Sequence, residues 1–216
     1  MDVWIAYTLA GLLGISLAAA CGMRVFAPLA VLSVACFAGW MTPPTSFAWV
    51  GSGPVMVGLC LAVLLEAGAY MIPWLDHALD AAGVPLAAGA GTVVAALQIA
   101  SVSGVTGSAP IDPGLLWTLS AVAGGGVALG THATTAMLRG GSSGVSGGLL
   151  NPVFAIAETA LSVVISVLSI VLPVLAIVAA LGVCALLVTG VLVMRSAMKG
   201  FAGSAGKKVP VAQGAV

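Results

Sequence analysis

PVFAIAETALSVVISVLSIVLPVLAIVAALGVCALLVTGVLVM, residues 152–194, continues for more than forty residues with a single charged side chain, Glu158. About twenty apolar residues suffice for one helical crossing of a bilayer, so this run is long enough for two. Pro173 is the natural place to fold it into a hairpin. Further apolar segments lie near 4–22, 25–41, 54–75, 86–105 and 115–138, ahead of the pair 150–172 and 174–195. Turn signals separate most of them: Pro43-Pro44, Gly51-Ser52-Gly53-Pro54, Gly83-Val84-Pro85, Pro110-Ile111-Asp112-Pro113 and Gly140-Gly141-Ser142-Ser143-Gly144.

Composition supports that reading. The chain is 61% hydrophobic and 6% charged, with six Lys or Arg and six Asp or Glu among 216 residues. Soluble domains carry charge on roughly a quarter of their residues, and so few charges cannot cover a water-facing surface. Inside a bilayer every backbone N–H and C=O must be satisfied internally, which leaves helices or closed barrels. Barrel strands alternate over about ten residues, whereas this sequence has long unalternated Ala/Val/Leu/Gly runs. The expectation is an all-α polytopic membrane protein with six or seven transmembrane helices. One transmembrane domain spans 1–198, with repeats over 1–108 and 114–198, and a short disordered tail covers 199–216.

Other classes find little support. Cys21, Cys36, Cys60 and Cys184 sit in apolar runs without metal or disulfide spacing and read as small hydrophobes. A formal net charge of zero gives no reason to expect a nucleic-acid partner. Ala18-Ala19-Ala20-Cys21 loosely suggests a processed leader, but Met1-Asp2-Val3 is acidic where a signal peptide is basic, so a retained first span is expected. No protease zinc spacing, nucleophile elbow or phosphate loop appears. The sequence therefore points to no enzyme and no cofactor.

Orientation follows from basic residues. Arg195, Lys199, Lys207 and Lys208 place the carboxyl end in the cytoplasm, and Arg139, two spans earlier, falls on the same side. Asp76, His77 and Asp80 are then cytoplasmic, and Trp40, Trp49 and Trp117 form an outer aromatic belt with Trp74 near the inner surface. Segment 22–41 admits two readings. As a full crossing it gives seven spans with Arg24 in a cytoplasmic turn. As a re-entrant pair broken at Pro28 it gives six, with Arg24 buried.

Two carboxylates lie deep in apolar helices: Glu66 and Glu158. A charge at the bilayer centre costs about 2.5–3.5 kcal/mol on insertion scales, so an intramembrane acid is a functional candidate by default. The bland alternative is a neutral acid tying two helices together. Residues three and four apart share a helix face. From Glu158 that face carries Ser162, Ser166 and Ser169, with Asn151 seven residues earlier as a candidate N-cap before Pro152. From Glu66 it carries Tyr70, Pro73, His77 and Asp80. His132 shares a face with Gly125 and Leu129 and is a proton-relay candidate. Gly126 and Gly130 form a small-xxx-small pair suited to close helix approach.

The halves suggest duplication. Each has a span with a basic or imidazole residue (Arg24, His132), then a glutamate helix, then a plain span. The two glutamate helices run oppositely in the topology above, the inverted relation common in transporters. That relation favours the re-entrant form of 22–41.

With these residues noted, the chain resembles the bacterial membrane proteins of the domain of unknown function 4126 family, through Gly22-Met23-Arg24-Val25-Phe26-Ala27-Pro28-Leu29, Leu65-Glu66, Ile72-Pro73-Trp74-Leu75-Asp76-His77-Ala78-Leu79-Asp80, His132, and Gly148-Leu149-Leu150-Asn151-Pro152 with Glu158. Relatives often carry an acidic–basic pair where this chain has Tyr70-Met71 and a second acid where it has Thr159. The resemblance implies a bacterial inner-membrane protein and marks the same polar residues, but it implies no activity.

The functional expectation is a small transporter or channel for a cation or a proton-coupled solute. Glu66 and Glu158 would face each other near the midplane and would be the ligands if a cation binds. Arg24, His132, Asn151, Tyr70, Ser162, Asp76 and His77 would complete the site. The alternative is a non-transporting module that binds lipid or partner helices, its polar residues serving as interhelical hydrogen bonds. Partners are the bilayer, the transported solute and, for a chain this small, further copies of itself.

Overall fold

In the computed structural model, which describes residues 2–69, 73–146 and 151–205, the described residues form helices joined by short turns, with no strand among them. The order is α1 (Val3–Met23), α2 (Phe26–Phe37), a 3-10 segment (Thr45–Gly51), α3 (Gly53–Ala69), α4 (Pro73–Thr106), α5 (Pro113–Leu119), a π-helical segment (Ser120–Gly125), α6 (Gly126–Ser146), α7 (Asn151–Val171) and α8 (Pro173–Ala205). Four stretches are long and apolar enough to cross a membrane: Val3–Met23, Ala81–Thr106, Pro113–Gly141 and Pro152–Val171. The Thr45–Gly51 and Gly53–Ala69 pair, bent by 60°, makes up to five. A multi-pass helical membrane protein is therefore the fold class.

Segment 22–41 is a helix break followed by a short helix. α1 ends at Met23, Arg24 is extended (φ −143°, ψ 117°), and Val25 is already back in the right-handed helical region. One residue makes the turn. It precedes Pro28 because proline, which lacks an N–H, belongs in the first turn of the new helix rather than at its break. At about 1.5 Å per residue, the 12 residues of α2 span about 18 Å, short of a hydrocarbon core of about 30 Å.

α2 doubles back beside α1. Arg24 touches α7 at Ala155 and Glu158, while Val31, Val34 and Ala35 of α2 face Val167, Ile170 and Val171 further along the same helix. Ser33 on α2 donates to the Val50 carbonyl at 2.6 Å, pinning α2 to the 3-10 segment. α1 packs mainly on α4, α6, α7 and α8. Its buried residues include Ser16, Ala18, Ala19, Ala20 and Gly22, small residues that let neighbouring backbones approach closely.

The close approaches use other glycines than the expected pair. Gly91 on α4 and Gly124 in the π-helical segment sit backbone to backbone, and a Cβ on Gly91 would lie 2.7 Å from the Gly124 carbonyl oxygen. Gly22 on α1 abuts Ala128 and Thr131 in the same way. Gly126 and Gly130 have nothing within 4 Å of a Cβ. The small-xxx-small spacing is present, but its face is open.

Two turn signals do not make turns. Gly83-Val84-Pro85 lies inside α4, and Gly140 to Gly144 lie inside α6, which continues to Ser146. Gly83 serves packing instead. A Cβ there would stand 2.5 Å from Cε1 of His132, so only glycine leaves room for the ring. The break at Leu172, before Pro173, falls where the sequence puts it. α8 continues beyond residue 198 to Ala205.

Candidate functional site

The break between α1 and α2 poses a physical problem. A helix leaves its last four carbonyls and first four amides without intrahelical partners, and buried polar groups must find others. Here the ends meet inside a bundle, with Cys21 and Arg24 at 0% and 1% exposure. Other helices supply the partners.

Glu66, on α3, caps α2. Its Oε1 accepts from the Val25 amide at 3.0 Å and its Oε2 from the Phe26 amide at 3.3 Å. α2 has no side-chain cap of its own. A carboxylate is the group that a helix amino terminus favours, through free N–H donors and the positive end of the dipole. Glu66 is 6% exposed, so the contact is made away from solvent.

The carboxyl end of α1 is closed from α6 and α7. His132 Nδ1 lies 3.3 Å from the Gly22 carbonyl oxygen. A carbonyl can only accept, so that nitrogen carries the proton in this contact. Ser162 Oγ donates to the Ala20 carbonyl at 3.0 Å, an oxygen that also accepts from the Arg24 amide.

Arg24 itself reaches into α7. Its Nη2 donates to the Ala155 carbonyl at 2.9 Å and lies 3.2 Å from Glu158 Oε2. Glu158 meets a second guanidinium, with Arg139 Nε 3.5 Å from its Oε1. Arg24 and Arg139 are each 1% exposed and Glu158 is 6% exposed. Loss of one partner of such a buried pair is costly, because it leaves a charge without its counter-charge away from water.

Glu66, Glu158, Arg24, His132 and Ser162 thus come together around residues 20–26. The two carboxylates serve adjacent parts of one segment, Glu158 the Arg24 side chain and Glu66 the next two amides, because the break presents both a cation and bare N–H groups. Among the described residues no group of three or more His, Cys, Asp or Glu could hold a metal ion.

Some expectations fall elsewhere. Tyr70 lies outside the described residues, as do the side chains of Asp76, His77, Asp80 and Asn151. The serine stripe divides: Ser166 and Ser169 bond back to carbonyls of their own helix, at Ser162 and Ser166, and only Ser162 reaches another helix. Thr159, also on α7, bonds back to Ala155. Arg139, read from sequence only as a marker of sidedness, is part of the cluster. Its position seven residues after His132, two turns along the same face, was the available signal.

Comparison with known proteins gives a family and stops there. No curated protein and no solved structure matches the chain. A family described as "Domain of unknown function (DUF4126)" matches residues 12–193. By that match, covering most of its length and including the whole break and its partners, the chain belongs to the DUF4126 family.

Proposed function

We propose that this chain is a small integral membrane transporter or channel for a proton-coupled solute, working at the α1–α2 break. The observation that carries the reading is that break: one extended residue between two apolar helices, held by ionisable groups from α3, α6 and α7. Non-helical backbone at membrane depth is tolerated only where protein buries it or it lines a cavity, and broken helices are where transporters build their sites. Protonation of Glu158 weakens its hold on Arg24 and Arg139; protonation of Glu66 weakens the cap on α2. Either event lets α2 shift against α1 and exposes the break.

A proton-coupled solute fits better than a bare cation. Glu66 and Glu158 already accept from amides and guanidinium groups, and two buried arginines beside them repel a metal ion. The finer topology belongs to the same proposal: six or seven crossings, inverted glutamate helices, a cytoplasmic carboxyl end, a bacterial inner membrane and a homo-oligomer.

The test is proton flux in proteoliposomes with a trapped pH dye and an imposed pH gradient. Wild type dissipates the gradient faster than protein-free vesicles, and Glu158→Gln, folded by circular dichroism, behaves like the empty ones. Equal flux in the two proteins overturns the reading.

A second reading has its own support. An apolar crevice of about 400 Å³ opens between α2, α3 and α7, lined by Ala30, Val34, Cys60, Leu64, Val163 and Val167 among others. It suits lipid tails or a partner helix, with the polar cluster then only joining helices. That reading predicts that Glu66→Gln and Glu158→Gln lower thermal stability and change no flux.

A further inference from the structure

At the other end of α1 lies a cleft of different character. It has a volume of about 240 Å³ and is built from four separate segments: Tyr7 on α1, Thr45 to Phe47 of the 3-10 segment, Ser103 on α4, and Pro110 to Trp117 leading into α5. Tyr7 and Arg24 are 17 residues apart on one helix, about 25 Å, so this cleft is separate from the break.

Its walls combine two chemistries. Phe47 is 3% exposed and packs against the half-exposed Trp117, with ring centroids 6.0 Å apart and planes at 43°. Tyr7, Thr45, Ser46 and Ser103 are the hydroxyl-bearing residues of the lining, and Ser103 Oγ donates to the Ala100 carbonyl at 3.1 Å. Thr45 and Ser46 are exposed, so their hydroxyls can exchange water for a ligand. Among the described residues no charged side chain lines the cleft. The nearest in sequence, Asp112, uses its carboxylate to accept from the Leu115 amide at 3.0 Å.

The rim is also preformed. Pro44, Pro110 and Pro113 fix φ along both loops that close it, and Asp112 caps the helix that carries Trp117. A site that is ordered before binding loses less entropy when it binds. An ion entering would give up hydration among lining side chains that carry no charge, whereas an uncharged ring with one hydroxyl or amide group would meet the Phe47–Trp117 pair and hydroxyl-bearing side chains. The volume, below the roughly 300–1,000 Å³ of drug-sized sites, limits the ligand to about one ring.

We infer that this cleft is a binding site for a small uncharged molecule with an apolar, ring-sized body and a hydrogen-bonding group. The inference stands independently of events at the break.

Three matched probes test it: benzyl alcohol, benzoate and benzylammonium, which share a ring and differ in charge. The full chain carrying Ser46→Cys is placed in nanodiscs and treated with a charged, membrane-impermeant thiosulfonate. Modification at position 46 is followed by peptide mass spectrometry. Benzyl alcohol is expected to slow modification at least threefold, with little effect of the two ions. Adding Ala100→Phe, which fills the cleft from α4, or Thr45→Trp, which fills it from the exposed rim, removes the protection. Equal slowing by all three probes, no slowing by benzyl alcohol, or undiminished protection in a folded filled variant overturns the inference.

Discussion

Arg24 is the single extended residue between α1 and α2, and its guanidinium lies 3.2 Å from the Glu158 carboxylate, 134 positions further along the chain. A helix end and a buried ion pair are thus the same object. Removing one partner of a buried pair costs about 3–5 kcal/mol, whereas replacing both by apolar groups of similar size can be neutral. Glu158→Gln should therefore lower the unfolding midpoint in detergent clearly, and Glu158→Met combined with Arg24→Met should recover part of the loss. Recovery is incomplete because Arg139 also faces Glu158. A double variant as unstable as the sum of two single ones would show that the pair is not coupled.

Glu66 makes a narrower prediction. Its carboxylate serves the two amides that begin α2, Val25 and Phe26. Loss of a helix cap costs typically about 1 kcal/mol, and the effect here is local. In Glu66→Ala, amide hydrogen exchange should rise in a peptide covering Val25 to Leu29 while peptides from the middle of α4 are unchanged. Unaltered exchange at the start of α2 would contradict the cap.

The sequence reveals the helices and their apolar character but not how the break is satisfied. Segment 22–41 admits both a crossing and a re-entrant pair, because the deciding contacts come from residues 40 to 142 positions away: Glu66, His132, Ala155 and Ser162. Periodicity registers only neighbours on one helix. It finds Glu66 and Glu158 because a charge in an apolar run is costly wherever it points. It overvalues the serines after 162, whose hydroxyls can return to their own backbone. It reads Gly83-Val84-Pro85 as a turn because glycine and proline mark loops in water. Inside this bundle that glycine is the space occupied by the His132 ring.

The serines separate cleanly by experiment. Ser162 crosses to the Ala20 carbonyl, while Ser166 bonds within α7. Interhelical hydrogen bonds in membrane proteins average about 0.6 kcal/mol and reach about 1.7. Ser162→Ala should lower the unfolding midpoint measurably, and Ser166→Ala should leave it near wild type. The reverse order would mean that the serine stripe works as a unit.

Glycines give the sharpest contrast, because one substitution has opposite signs at different positions. In an open helix interior Gly→Ala stabilises by roughly 0.5–1 kcal/mol, and Gly126 and Gly130 have nothing within 4 Å of a new Cβ. At Gly22 the Cβ would collide with the Ala128 carbonyl, and at Gly91 it would come within 2.5 Å of the Ala128 Cβ. Neither obstacle is the far end of a flexible side chain, so helices must separate, at about 1–3 kcal/mol or more. Gly126→Ala and Gly130→Ala should keep or raise the unfolding midpoint, and Gly22→Ala and Gly91→Ala should lower it. Gly22→Ala should in addition disturb the break, since Gly22 also presents its carbonyl to His132. Hydrogen exchange at the start of α2 should therefore rise in Gly22→Ala and stay unchanged in Gly91→Ala, even where the two lose similar stability. If both variants raise it equally, the break responds to general loosening of the bundle and not to its own contacts.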